Sequence, residues 1–113
     1  VMNMDALINV KFGDAESLGE FLFENALQHT LFATQLESKN IIVPRYPIMD
    51  AEVSNLDDWL LPHQVEHQNF SANTGLDNPM NMLDMDWNDE VSFYDWLSTH
   101  YLIHTQLVAA LGL

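Results

Sequence analysis

The chain has 113 residues, 48% of them hydrophobic, and a formal net charge of −14 at pH 7. This length suits a single domain, residues 1–113, and the hydrophobic fraction argues against a disordered chain. No apolar run approaches the about 20 residues of a transmembrane helix, and we expect no signal peptide. The sequence contains no cysteine, which removes disulfides and thiolate metal ligands.

The acidity of the chain limits its partners, since 17 acidic residues face only three basic ones. Such a field repels nucleic acid and anionic membranes, so we expect neither as a partner. It favours solubility or a basic protein partner. Mimicry of nucleic acid is a lesser alternative, because mimicry requires dense rows of carboxylates and here they are scattered among apolar residues.

The first 16 residues are predicted to form an N-terminal arm. The apolar stretch from Leu7 to Phe12 is compatible with a short strand or with an arm laid over an apolar surface. Hydrophobic period alone does not separate these two alternatives in so short a run.

The first helix is predicted over residues 18–37. Ser17 and Glu20 have the spacing of a capping box, in which the hydroxyl and the carboxylate satisfy two N–H groups at the helix start. Asn55 with Asp58, and Ser92 with Asp95, repeat this spacing.

The repeated caps predict further helices over residues 56–74 and 93–111. Gly75 and Gly112 follow these segments and are suitable C-terminal caps. Pro62 lies inside the second segment and lacks a backbone donor, so it predicts a kink or a later helix start.

Two long links connect the helices, and both carry apolar side chains that are candidates for binding a protein partner. The candidates are Ile41, Ile42, Val43, Met80, Met82 and Met85.

The three helices carry one pattern, which recurs after 38 and then 37 residues. Each copy has an aromatic residue and a leucine after the cap, then two polar residues four positions apart. These polar positions hold Asn25 and His29, His63 and His67, and His100 and His104. Apolar residues lie at helical spacing both before and after each pair. The pairs are therefore predicted to lie in the core.

This triplication predicts an all-α fold, a three-helix bundle with pseudo-threefold symmetry. A link of about 17 residues spans roughly 55 Å when extended, whereas a helix of about 19 residues is about 28 Å long. Each link can therefore return the chain to the end of the bundle at which the previous helix began. The helices are then roughly parallel, and the polar pairs lie in neighbouring layers.

Two interpretations of the histidine layers stay open. Three imidazoles from three helices can hold a metal ion, zinc for example, and two histidines four residues apart on a helix face the same way. Alternatively, neutral imidazoles form a buried hydrogen-bonded network that fixes helix register. Asn25 favours the network, because asparagine is a poor ligand for zinc.

The histidines do not match a known catalytic motif. Glu66 precedes His67, but it is expected on a different helix face, so the arrangement is not the zinc-protease motif. Without an evident general base, we expect that the protein is not an enzyme. Buried neutral histidines would also make the fold less stable as the pH falls below about 6.5.

Three stretches of the chain resemble small acidic proteins encoded among the virion genes of tailed bacteriophages. The stretches are Phe21 to His29, Tyr46 to Asp50 and Phe93 to Leu97. The resemblance implies a virion accessory or assembly protein that docks on another viral protein, in several copies, in the virion or the host cytoplasm. It carries no catalytic or ligand motif.

Overall fold

The computed structural model describes residues 2–44, 56–76 and 85–113. It contains one turn of 3-10 helix, Met4–Leu7, and three α-helices: α1 (Ala15–Ser38), α2 (Leu56–Thr74) and α3 (Glu90–Leu111). The described residues contain no strand, so the predicted all-α bundle is confirmed. None of the described helices combines the length and the hydropathy needed to cross a bilayer.

Two of the helices begin three residues earlier than predicted. Asp14 and Asp89 are the N-caps of α1 and α3, and their carboxylates accept hydrogen bonds from the backbone N–H of Ser17 and Ser92 at 3.0 and 2.9 Å. The predicted capping role of Ser17 and Ser92 is therefore wrong. Aspartate caps as well as serine does, and its charge also suits the positive end of the helix dipole.

The two serine hydroxyls bind the chain that leads into each helix instead. Ser17 Oγ accepts from the backbone N–H of Lys11 at 3.1 Å, and Ser92 Oγ accepts from the backbone N–H of Asp86 at 3.0 Å. In both places the hydroxyl therefore satisfies a backbone donor of the turn before the helix.

The second helix passes through its proline. Described from Leu56, α2 includes Pro62 and ends at Thr74, so the later start predicted from the proline is wrong. The third helix ends as predicted, because Gly112 caps α3 with φ of 69°, a left-handed conformation that glycine adopts without strain.

The N-terminal arm lies over the bundle and does not form a strand. Leu7 and Val10 are buried in the core. The backbone N–H of Phe12 donates to the hydroxyl of Tyr94 at 2.9 Å, which joins the arm to α3. Of the two predicted alternatives, the arm over an apolar surface is the correct one.

From the helix starts onward, the contacts between helices come in one order: first aromatic rings, then the histidines, then further aromatic rings. Near the helix starts, the rings of Phe21, Trp59 and Trp96 contact one another at 5.8–6.4 Å between centroids. The histidines follow, and beyond them Phe32 contacts Phe70 at 5.7 Å. Residues 45–55 and 77–84, which include most of the predicted links, lie outside the described part of the chain.

Candidate metal centre

All five histidines of the chain meet in the core of the bundle. His29 comes from α1, His63 and His67 from α2, and His100 and His104 from α3. No histidine is more than 3% exposed. One nitrogen of each ring lies within 4.8 Å of the corresponding nitrogens of the other four. The predicted histidine cluster is thus confirmed.

The histidines converge because each helix has one inward face. Residues four apart lie one turn apart on the same side of a helix, so His63 and His67 point together, as do His100 and His104. Asn25 occupies the corresponding place on α1, one turn before His29, and its Oδ1 lies 3.2 Å from His63 Nε2.

Three distances between ring nitrogens are close to those around a metal ion. His67 Nε2 lies 3.2 Å from both His29 Nε2 and His63 Nε2, and His63 Nε2 lies 3.3 Å from His100 Nε2. A tetrahedral ion with bonds of about 2.0–2.1 Å holds its ligand nitrogens about 3.3 Å apart. These three contacts link four rings, and all five rings offer a nitrogen within 4.8 Å of the others.

No single tautomer of His63 turns all the contacts of its Nε2 atom into hydrogen bonds. The Nε2 atom of His63 faces the oxygen of Asn25 and also the Nε2 atoms of His67 and His100. A ring nitrogen carries either a proton or a lone pair. It therefore cannot donate to the oxygen and accept from a neighbouring ring at once.

Further nitrogens of the cluster are buried without a hydrogen-bond partner among the described residues. They are His67 Nδ1, His100 Nδ1, His104 Nε2 and Asn25 Nδ2. Each buried polar atom left unsatisfied costs about 1–3 kcal/mol. An ion held by the Nε2 atoms would satisfy His104 Nε2 and none of the other three, so this cost does not separate a metal site from a hydrogen-bonded network.

Two of the rings are held from behind by polar side chains. His29 Nδ1 lies 3.0 Å from a carboxylate oxygen of Glu66, and His104 Nδ1 lies 2.8 Å from the amide oxygen of Gln28. The amide nitrogen of Gln28 in turn donates to Glu24 at 3.1 Å. Histidines that bind metals commonly donate their second ring N–H to such an acceptor.

Neither of these outer partners is predicted from the sequence. Glu66 was expected on a different helix face from His67, and it reaches His29 on the neighbouring helix. The only sequence signal was position, since Gln28 and Glu66 each directly precede a histidine.

Burial keeps all five imidazoles neutral at pH 7. Removal from water lowers the pKa of His29 to about 3, even though a carboxylate lies beside it. The same cause, followed by repulsion from neighbouring rings, lowers the pKa of the other four well below 6.5. The contact between His29 and Glu66 is therefore a neutral N–H donating to a carboxylate. Neutral imidazole is also the form that binds metals.

Aromatic rings cover the cluster on two sides. Trp59 stacks on His63 with centroids 4.2 Å apart, and Trp96 stacks on His100 at 4.7 Å. Toward the helix ends, the ring of Phe70 lies edge-on to His29 at 5.2 Å. The cluster is thus enclosed by apolar surface, in which an unpaired polar atom is especially costly.

The candidate partner-binding residues lie in different environments. Ile42 is 84% exposed, Ile41 is half-buried, and Val43 and Met85 are buried in the core. Met80 and Met82 lie outside the described residues. A role of these residues in binding a partner stays a prediction.

Comparisons of this chain with protein-family models, with curated proteins and with solved structures find no match. The resemblance to bacteriophage proteins therefore stays a prediction, and the function is argued from the histidine cluster.

Proposed function

We propose that the protein is a metal-binding helical bundle that holds one divalent transition-metal ion among its five histidines. The observation that carries this proposal is the convergence of five buried imidazole nitrogens within 4.8 Å of one another. A bound ion would take up the lone pair of His104 Nε2, which has no partner among the described residues, and would replace the contacts between the other Nε2 atoms.

The kind of metal follows from the donor atoms. Neutral imidazole nitrogens suit zinc, copper, nickel and iron, whereas magnesium and calcium prefer oxygen ligands. The cluster contains no oxygen ligand other than the amide of Asn25, which lies 3.2 Å from His63. Zinc is the first ion to test, since the 3.2–3.3 Å spacing of the Nε2 atoms fits its tetrahedral preference.

The test is elemental analysis of protein purified without a histidine tag, followed by zinc titration of chelator-treated protein. We expect one ion per chain. His67→Ala removes the nitrogen that contacts two others, and this variant should lose the ion. Gln68→Ala is the matched control, since Gln68 is the exposed neighbour of His67 on the same helix. A wild-type chain that neither carries nor takes up a stoichiometric transition metal contradicts the proposal.

We propose also that the three helices are parallel copies of one helix-plus-linker unit related by pseudo-threefold symmetry. The same aspartate cap and serine contact at the starts of α1 and α3 support this arrangement. The common order of contacts along the helices supports it as well. An experimental structure in which α2 runs opposite to its neighbours would contradict it.

A second proposed function, as a structural or interaction module of a bacteriophage virion, is supported by one feature of the surface. The backbone N–H of Ile41 bonds to α1 and Val43 is buried, while Ile42 between them projects outward. Among the described candidate residues, Ile42 therefore offers the most apolar surface to another protein. Mass spectrometry of purified phage particles should then detect the chain, and Ile42→Asp should remove it from them. Particles that contain no such chain would exclude this role.

A further inference from the structure

The N-terminal arm lies one side chain away from the histidine cluster. That side chain is Gln28 of α1, which is fully buried. Its amide oxygen accepts the Nδ1–H of His104 at 2.8 Å, and its amide nitrogen lies 3.3 Å from the sulfur of Met4 in the arm. Gln28 therefore separates the arm from the ring of His104.

The arm contacts two of the three helices that carry the histidines. Its 3-10 turn, Met4–Leu7, packs against α1, which carries His29, and against α3, which carries His100 and His104. Leu7 at the end of this turn is fully buried. The arm thus covers the cluster where α1 and α3 meet.

The other described covers of the cluster belong to the long helices. Trp59 of α2 and Trp96 of α3 stack on histidines toward the helix starts. Phe70 of α2 lies against His29 toward the helix ends. Moving these rings aside disturbs the packing of the helices themselves.

The arm, in contrast, is joined to the bundle by a short stretch of chain. Between the 3-10 turn and Asp14 it has no helix or strand. Its backbone donates to α1 from Lys11 and to α3 from Phe12. Short segments of this kind open at a lower free energy than the helices of a core. The buried side chains of Leu7 and Val10 hold the arm closed.

We propose that the part of the N-terminal arm before Asp14 is a lid over the metal site, and that the ion enters and leaves when this lid lifts while the three helices stay packed. The inference rests on the proposed metal-binding function and adds to it the route by which the ion exchanges. A site closed on every side by the helices would instead release its ion only when the whole bundle opens.

The test measures how fast zinc passes from the loaded full chain to an excess of a chromophoric chelator. Leu7→Ala removes a buried anchor of the lid. Loss of a buried leucine side chain shifts an opening equilibrium by more than about tenfold, so release should be faster by about tenfold or more. Leu111→Ala is the matched control, because Leu111 is also buried but lies about two turns beyond His104, at the far end of α3. Its release rate should stay close to that of the wild type.

Uptake of zinc by the metal-free chain supplies the second readout. A lid that lifts more often speeds uptake and release by the same factor, so the dissociation constant should stay nearly unchanged in Leu7→Ala. Equal acceleration in the Leu7 and Leu111 variants would show that the ion leaves by opening of the whole bundle, which overturns the lid. Faster release without faster uptake would mean that Leu7 only supports the ligands, and it overturns the lid as well.

A milder variant covers the case in which Leu7→Ala does not fold. Tyr94→Phe removes only the hydroxyl that accepts from the backbone N–H of Phe12. Loss of one such hydrogen bond should speed both uptake and release by about twofold to tenfold. Tyr101→Phe is its control, since it removes a hydroxyl from another position of α3. Unchanged rates in Tyr94→Phe, or an equal change in Tyr101→Phe, overturn the lid. A wild-type chain that takes up no zinc overturns the proposed function itself, and the lid with it.

Discussion

At the scale of single residues, His63 and His67 form the centre of the cluster. The Nε2 atom of His67 lies 3.2 Å from those of His29 and His63, and the Nε2 atom of His63 also lies 3.3 Å from that of His100. In His104, by contrast, Nδ1 is hydrogen-bonded to the amide oxygen of Gln28, and Nε2 makes no hydrogen bond to any described residue. The five rings are therefore not equivalent, although the sequence pattern treats them alike.

This inequality predicts unequal effects of removing single rings. His67→Ala should weaken zinc binding by about 100-fold or more, which corresponds to at least about 2.7 kcal/mol. His104→Ala should weaken it less, because the contacts of 3.2–3.3 Å between the Nε2 atoms of the other four rings remain. The measurement is a zinc competition titration of both variants against a chromophoric chelator. Equal losses in the two variants would show that all five rings contribute alike.

At the scale of helices, the aspartate caps decide where α1 and α3 begin. Asp89→Ala removes the side chain that accepts from the N–H of Ser92 and should destabilise the protein by about 1 kcal/mol. Asp95→Ala is the control, since Asp95 is exposed on the same helix and its replacement removes the same charge without touching the cap. Urea denaturation of both variants measures the difference. A loss of stability as large in the Asp95 variant would assign the effect to charge rather than to capping.

At the scale of the whole molecule, the buried histidines make the metal-free fold sensitive to acid. The pKa of all five is lowered in the folded state by burial, to about 3 for His29. The unfolded chain, with pKa values near 6.5, therefore binds more protons than the folded one between these limits. Stability is fully present above about pH 6.5 and is lost as the pH falls below it.

The size of the effect makes it easy to measure. When unfolding takes up five protons, the free energy of unfolding changes by up to about 7 kcal/mol per pH unit. The total free energy of unfolding of a domain is only about 5–15 kcal/mol. The metal-free protein should therefore unfold by about pH 5. Melting temperatures recorded from pH 7.5 to pH 5 give the answer, and a temperature that stays constant over this range would contradict neutral burial.

Metal binding should also stabilise the whole bundle, because the unfolded chain does not hold five histidines together. Free zinc at 100 times its dissociation constant contributes about 2.7 kcal/mol. For a domain of this size, such a gain should raise the melting temperature by about 10 °C. Differential scanning calorimetry with and without zinc measures this change. Magnesium is the control ion, since the imidazole cluster should not bind it.

Several features of the protein follow from the sequence by itself. The spacing of apolar residues determined three helices, and the spacing of the histidines four residues apart determined that they share the inward face of each helix. Composition excluded thiolate ligands. The inferences about the helices and the histidines succeed because they depend on local geometry, which the chain carries at every position. The N-caps of α1 and α3 lie about one turn before the predicted serines. Aspartate and serine are both good N-caps, and both are present at each of these helix starts, so the sequence pattern allows either choice.

Only the tertiary structure decided which side chains the histidines contact. The contact between Glu66 and His29, and the contact between Gln28 and His104, join residues of different helices, and helical periodicity within one segment does not reveal them. The ring nitrogens of three helices come within 3.3 Å of one another only after packing. That distance is close to the separation of the ligands in a tetrahedral metal site, and it is the basis of the proposed metal binding.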